Sequence, residues 1–183
     1  NCLIGNVAGD AVTTGSDNTF VGDNAGGATT TADANTALGS QALVLNSTGA
    51  NNVAIGAYAL DANTTGGANT AIGRTALGAN TTASNNVAVG CFALSANTTS
   101  SANTGIGFQA GEDTTGPNNT AVGYQALQAN SSGSGNVALG RSALLANTTA
   151  ANNVALGYKA LAANTTGTDN VAVGWTNPYD RPK

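Results

Sequence analysis

The sequence predicts an all-β fold, a parallel β-solenoid in which one repeat of 17 residues forms one coil. Three observations lead to this fold class. Nearly identical segments recur at a fixed period, apolar residues alternate with a period of two inside each segment, and a glycine interrupts every segment at the same place. Repeats of fixed length mark arrays in which each copy buries its apolar side against its neighbours.

The repeats divide the chain into one array and a short tail. Each repeat opens on an asparagine, and the step between these asparagines is 17 residues except for one step of 16 between Asn103 and Asn119. They are Asn1, Asn18, Asn35, Asn52, Asn69, Asn86, Asn103, Asn119, Asn136, Asn153 and Asn170. We therefore expect about ten coils over residues 1–174, followed by a cap or connecting tail over residues 175–183. Repeat positions are numbered below from the opening asparagine, and coils are numbered in chain order.

The spacing of apolar residues favours strands over helices. Positions 2 and 4 alternate with position 3, and positions 9 and 11 alternate with position 10, as in strands with one buried face. Position 5 is always glycine, which opposes a helix across the repeat. None of the 25 asparagines precedes a glycine, so the strongest hairpin signal is missing and parallel coils are favoured.

We expect two short strands per coil, joined by a corner at the position-5 glycine and closed by an Asn-Thr-Thr corner at positions 12 to 14. The predicted core consists of positions 2, 4, 9 and 11, so Ile72 and Leu77 are expected inside. The asparagines at positions 1 and 12 are expected to form ladders from coil to coil.

Position 3 would then point outward. It is alanine in eight repeats, and an exposed position should vary more widely among polar residues. We therefore predict an assembly face covered by another chain, with an alanine that merely fits a tight corner as the alternative. The face consists of Ala37, Ala54, Ala71, Ala88, Ala121, Ala138, Ala155 and, in the last strand, Ala172.

Composition argues against several classes of function. The chain has no histidine, a net charge of −4, and scattered acidic residues that form no column of paired carboxylates. We therefore predict no catalytic residues, no metal site, no cofactor and no enzymatic activity. The scattered basic residues argue against nucleic acid as a partner, and no apolar segment is long enough for membrane insertion.

Several Asn-x-Thr/Ser sequences are formal glycosylation acceptors. The alternative is an asparagine-capped turn whose threonine hydroxyls bond to the backbone, which explains the same regularity without sugar. The acceptors are Asn46, Asn63, Asn80, Asn97, Asn118, Asn130, Asn147 and Asn164.

Positions 6 and 7 vary most in size and carry most of the aromatic and basic residues. Such residues dominate binding hot spots, so a glycan-binding or receptor-binding edge is one prediction and a variable solvated corner is the other. The candidate binding residues are Tyr58, Phe92, Phe108, Tyr124 and Tyr158, with Arg74, Arg141, Lys159 and Trp175 beside them.

The segments "NNVAIG", "NTAIG" and "NTAVGYQAL" resemble the head repeats of trimeric autotransporter adhesins and, more closely, the repeats of bacteriophage and algal-virus tail-fibre proteins. The resemblance covers residues 1–174. It implies a left-handed parallel β-roll, assembled as a trimer, on a fibre or stalk that is extracellular, at a cell surface or a virion surface.

The function expected from these observations is a non-enzymatic structural or adhesive fibre subunit that assembles with copies of itself, as a trimer or a filament. The alternative is an ice-binding protein that uses the threonine columns of the Asn-Thr-Thr corner at positions 13 and 14. A weaker resemblance to grass ice-binding proteins, whose coils carry an Asn-x-Val-x-Gly motif, keeps this alternative open.

Overall fold

The computed structural model describes residues 1–175 and gives each repeat one three-residue strand at positions 2 to 4. The eleven strands pair in chain order, every neighbouring pair is parallel, and the described residues contain no helix. The strands are β1 Cys2–Ile4, β2 Thr19–Val21, β3 Thr36–Leu38, β4 Val53–Ile55, β5 Thr70–Ile72, β6 Val87–Val89, β7 Thr104–Ile106, β8 Thr120–Val122, β9 Val137–Leu139, β10 Val154–Leu156 and β11 Val171–Val173. The predicted parallel β-solenoid is confirmed.

The strands stack in register, so each repeat position forms a column along the solenoid. Thr36 pairs with Val53 and Leu38 with Ile55, one repeat apart. The register survives the shortened seventh repeat, because Thr104 still pairs with Thr120. The missing residue is therefore absorbed in the corner that precedes Asn119. At about 4.8 Å per coil, the stack is on the order of 50 Å long.

Position 3 of each strand faces the inside of the coil, and positions 2 and 4 face outward, which is the reverse of the prediction. The position-3 side chains are buried; Ala54 and Ala71, for example, are 0% exposed, whereas Ile72 is 36% and Leu38 47% exposed. The predicted assembly face is therefore wrong, since these alanine side chains lie inside the coil. The correction covers Ala37, Ala54, Ala71, Ala88, Ala121, Ala138 and Ala155, and also Ala172, which is half-buried in the last strand.

The predicted second strand, at positions 9 to 11, does not form. Residues at positions 7 and 9 adopt positive φ instead; Gln41 and Leu43 both have φ of 57°. Their backbone N–H groups point in opposite directions along the stack, with Gln41 donating to Asp23 of the preceding coil and Leu43 to Ala59 of the following coil. A series of turns thus joins neighbouring coils by hydrogen bonds without a regular strand.

The core is a narrow column of alanines at positions 3 and 8 with leucine at position 9. Leu60 and Leu77 are 0% exposed, as predicted for position 9. Position 11 is only half-buried or exposed, so its predicted place in the core is wrong. The buried residues form two clusters, one from Ala8 to Leu94 and one from Ala110 to Ala160. They separate at coil 7, where Gly105 and Gly111 replace the usual alanine and leucine.

A buried asparagine ladder at position 1 runs through every coil. In each of the ten steps, the Oδ1 atom of one asparagine accepts a hydrogen bond from the backbone N–H of the next, at 2.8 to 3.0 Å. The predicted ladder is confirmed. It satisfies a buried backbone donor in each coil, which would otherwise be costly.

The second predicted ladder, at position 12, forms in two separate runs. Asn46, Asn63 and Asn80 form one run, and Asn130, Asn147 and Asn164 form the other. The first run ends at Asn80, because Asn97 in coil 6 bonds within its own turn, to Ser100. In coil 7 Thr114 replaces the asparagine, and its buried hydroxyl has no hydrogen-bond partner among the described residues. Coils 6 and 7 therefore interrupt this ladder, and the two core clusters also separate there.

The position-5 glycine is required at the corner after each strand. Gly73, for instance, has φ of 130°, and a Cβ there would lie 2.6 Å from the carbonyl carbon of Gly90 in the next coil. The stacking distance between corners leaves no room for a side chain. The predicted corner is confirmed.

Two further findings bear on the ends and on membranes. Strands extend from Cys2 to Val173, while the predicted tail lies outside the described residues except for Trp175. No helix capable of crossing a membrane occurs among residues 1–175.

Candidate functional site

The most unusual surface of the solenoid is the outward side of its sheet, made by positions 2 and 4 and called here the outer face. Position 2 holds threonine or valine after Cys2, and position 4 holds only branched aliphatic residues. Neither column contains a charged residue in any coil. Position 4 consists of Ile4, Val21, Leu38, Ile55, Ile72, Val89, Ile106, Val122, Leu139, Leu156 and Val173.

These aliphatic side chains are partly or largely exposed to solvent and lie outside the core. Leu139 is 44% and Leu156 41% exposed, and the position-4 residues between the ends of the array are exposed or half-buried. Parallel in-register pairing stacks equivalent side chains in columns, so the outer face repeats once per coil. Sequence reasoning missed this surface because it placed the larger side chains inside.

The candidate binding residues fall into separate groups. Phe108, Tyr124 and Tyr158 occupy position 6 and join Arg141 and Trp175 of the same column in one row, called here the aromatic ladder. Phe92 lies apart, at position 7, with the guanidinium carbon of Arg74 5.5 Å from its ring centre. Tyr58, also at position 7, lies outside the ladder.

The aromatic ladder is stacked along the axis of the solenoid. The rings of Phe108 and Tyr124 are 5.5 Å apart and inclined by 16°. The Arg141 guanidinium lies between two phenol rings, 5.4 Å from the centre of Tyr124 and 5.8 Å from that of Tyr158. Lys159 Nζ lies 5.4 Å from the Tyr158 ring centre. Stacking between coils therefore covers the ring faces and leaves the edges toward solvent.

Most of the formal glycosylation acceptors have buried side chains. The position-12 asparagines Asn46, Asn63, Asn80, Asn97, Asn130 and Asn147 are 0% exposed. Asn46 Nδ2 donates to the carbonyl of Gly49 at 2.9 Å, which is the asparagine-capped turn of the alternative interpretation. A sugar on such a nitrogen is incompatible with this fold. Asn164, in the last coil, is half-buried and similarly bonded, whereas Asn118 is exposed.

The threonines of the Asn-Thr-Thr corner differ in their roles. Position-13 hydroxyls donate to the backbone of the next coil, as from Thr30 to Ser47 and from Thr64 to Thr81. Position-14 residues are exposed in nine coils, namely Thr14, Thr31, Thr48, Thr65, Thr82, Thr99, Ser132, Thr149 and Thr166. Of the two predicted threonine columns, only the position-14 column therefore exposes hydroxyls that do not make these backbone hydrogen bonds.

Within residues 1–175, the acidic side chains do not form a cluster. Burial raises the pKa of Asp61 above its ordinary value, and burial together with neighbouring Glu112 raises that of Asp113. Glu112 accepts a hydrogen bond from Gln128 at 2.7 Å. No group of three or more metal-ligating side chains occurs among the residues that the structure describes.

Comparisons with protein-family models, curated proteins and solved structures find no match for this chain. The fold itself defines the class: a regular all-β parallel β-solenoid built from repeats of 17 residues. Its distinguishing surfaces are the outer face and the aromatic ladder.

Proposed function

We propose that this chain is a non-enzymatic structural subunit of an extracellular fibre, at a cell or virion surface, that assembles with copies of itself through the outer face. The single observation that carries the proposal is the uninterrupted, charge-free aliphatic column on the outward side of the sheet. Solvated surfaces carry charged and polar residues, whereas the centres of protein interfaces are depleted of charge.

A second copy of the chain is the partner that fits this surface best. The outer face of one chain carries no charged residue along its length, so it can meet the same face of another chain without burying an unpaired charge. Three copies around one axis or a longer filament would both satisfy this requirement. The resemblance to trimeric adhesin heads favours three.

Composition supports a structural role over an enzymatic one. Only 8% of residues are charged, and there is no histidine to act as an acid or a base. The repeats instead form a continuous stack, because every described coil is hydrogen-bonded to its neighbours through strand pairing and through the position-1 ladder. A stiff rod with little surface chemistry suits a shaft or stalk.

The test is the mass of the protein in solution, measured by light scattering and sedimentation. We expect a multimer for the unmodified chain and a monomer for Ile72→Glu, which places a charge on the outer face. The control is Thr82→Glu, which places the same charge at the exposed corner and should leave the multimer intact. A monomeric unmodified protein at high concentration would overturn the proposal.

Ice binding remains the second candidate, supported by the regular column of exposed threonines at position 14. It has weaker support than expected, because the position-13 hydroxyls are engaged by backbone carbonyls. Thermal hysteresis separates the candidates: activity that Thr82→Glu abolishes and Ile72→Glu spares would favour ice binding at the corner. No thermal hysteresis would exclude it.

A further inference from the structure

We propose that the aromatic ladder around Arg141 binds acidic polysaccharides, that is, sugar chains bearing carboxylate or sulfate groups. The binding group would be the Arg141 guanidinium, held between Tyr124 and Tyr158. The proposal does not depend on how the rods assemble.

The side chain of Arg141 is preorganised for binding an anion. Two phenol rings flank its guanidinium, which limits the conformations that the side chain can adopt, and the residue is exposed. No carboxylate pairs with Arg141 among residues 1–175. A preorganised guanidinium binds carboxylate or sulfate through two parallel hydrogen bonds and loses less entropy in doing so.

The distribution of charge favours an acidic ligand at this place. The chain as a whole carries a net charge of −4, and Asp10, Asp17, Asp23, Asp33 and Asp61 all lie in coils 1 to 4. Coils 8 and 9 contain Arg141 and no acidic residue. Glu112 and Asp113 lie in coil 7 and Asp169 in coil 10, so the surface without carboxylates is limited to the two coils around Arg141, where an anion approaching the guanidinium meets no acidic residue.

The stacking determines how a sugar can bind. Sugars commonly lie flat on exposed aromatic faces, yet Phe108 and Arg141 cover the two sides of Tyr124 in successive coils. The ladder offers ring edges, phenol hydroxyls and the guanidinium instead. Recognition should therefore depend on the acidic group of the sugar and on hydrogen bonds, rather than on stacking of the sugar ring. Neutral polysaccharides should bind poorly.

The ligand is taken to be a polysaccharide rather than a nucleic acid because the basic surface is short. Nucleic acid binding relies on many phosphate contacts along a basic stripe, whereas the ladder itself contains one arginine, with Lys159 adjacent. Hydroxyl-bearing ring edges beside a single guanidinium fit a chain of hydroxyl groups with spaced charges.

The experiment compares polymers that differ only in charge, using the full chain. We expect polygalacturonate to bind and its methyl ester, which has the same backbone without the charge, to bind at least about tenfold more weakly. Dextran sulfate and dextran form a second pair, which distinguishes sulfate from carboxylate as the preferred group. Equal binding of the charged and neutral members of both pairs, or no binding of either charged polymer, would overturn the proposal.

Two matched variants locate the site. Arg141→Gln should weaken binding of the preferred charged polymer about tenfold, because it removes a charge-assisted pair of hydrogen bonds. Arg74→Gln removes the same charge from the same repeat position in coil 5 and should change binding less than about twofold. Equal losses in the two variants would show a non-specific charge effect and reject the site. Equally tight binding of a DNA duplex would reject the polysaccharide.

Discussion

The ring of Phe20 occupies the space that a side chain at Gly26 would fill: a Cβ on Gly26 would lie 2.5 Å from Phe20 Cε2. Coils 1 and 2 thus exchange the usual core pair, alanine at position 3 with leucine at position 9, for a large residue at position 3 with glycine at position 9. Gly26 has φ of 61°, close to the values of the leucines that occupy position 9 elsewhere.

This exchange predicts compensation between the two sites. Phe20→Ala should destabilise the protein by about 3 to 5 kcal/mol and Gly26→Leu by about 1 to 3 kcal/mol, through a cavity and through overpacking respectively. The double variant rebuilds the usual pair, so its loss should be clearly smaller than the sum. Denaturant unfolding measures all three variants, and additive losses would contradict the packing described here.

The orientation of the strand predicts different outcomes for two neighbouring apolar residues. Leu77→Asp buries an unpaired charge in the narrow core and should unfold the central coils. Ile72→Asp places the charge on the outer face, where it stays hydrated, and should destabilise the single chain by no more than about 2 kcal/mol, the value of the partly buried isoleucine surface that is lost. Thermal unfolding at low protein concentration compares them. Equal destabilisation would mean that the outer face is not solvent-exposed in the single chain.

The position-1 ladder predicts that one amide supports two coils. Asn69→Ala removes the Oδ1 that accepts from the Asn86 backbone N–H, whereas Asn52 Oδ1 still accepts from the Asn69 backbone N–H. Leaving the buried Asn86 N–H unpaired should cost about 2 kcal/mol. The matched control is Asn6→Ala, which removes an exposed hydrogen bond to Asp23 and should cost less than about 0.5 kcal/mol. Similar losses in the two variants would argue against the ladder as a source of stability.

The interruption of the position-12 ladder predicts a stabilising substitution. Thr29 and Thr114 each bury a hydroxyl without a partner among the described residues, at a position where the following coil holds asparagine. Thr114→Asn would place an acceptor beside Asn130, and Thr29→Asn would place one beside Asn46. Each should stabilise the fold by about 1 kcal/mol in denaturant unfolding. A loss of stability in both would show that these threonines are required by packing.

Burial of Asp61 predicts a pH-dependent effect. Its pKa is raised above the ordinary 3.8, chiefly by desolvation, so the folded state binds its proton more tightly than the unfolded state does. Stability from this group is therefore present below pH 3.8 and is lost as the pH rises through the raised pKa. Asp61→Asn should stabilise the protein at neutral pH and have no such effect below pH 3.8. Unfolding measured at both pH values tests this, and an equal gain at both would contradict it.

The repeat, the parallel stacking and the asparagine ladders could be predicted from the sequence, because a fixed period and an asparagine at the same position of every repeat constrain them directly. The period of two does not show which face of the strand is buried, because it is the same for either face. Residue size gave the wrong answer because the coil interior already holds Leu77 and two asparagine columns, leaving room only for a methyl group at Ala71. The pair of exceptions, Phe20 and Gly26, did indicate that position 3 is buried. A large side chain at one site and a missing side chain at another compensate each other only when both sites lie in the core.

The turns between positions 6 and 11 had no comparable signal. Leucine is unfavourable at positive φ, and no local sequence feature predicts that Leu43 and Leu60 adopt a positive φ. Hydrogen bonds to the following coil impose this conformation, so it is a property of the stack rather than of the repeat. The candidate binding residues were only partly predicted: the variable positions 6 and 7 were recognised, but the pairing of Arg141 with two phenols depends on the stacking distance.

Coil 7 has a mechanical consequence for a rod of this kind. In a one-dimensional stack, a pull along the axis passes through every coil in series, so strength is set by the weakest junction and not by the average one. The core clusters separate there, and the position-12 ladder has no hydrogen bonds between Asn80 and Asn130. Tension along the axis would therefore open the stack first around coil 7, where the backbone hydrogen bonds and the position-1 ladder join neighbouring coils without these two contributions.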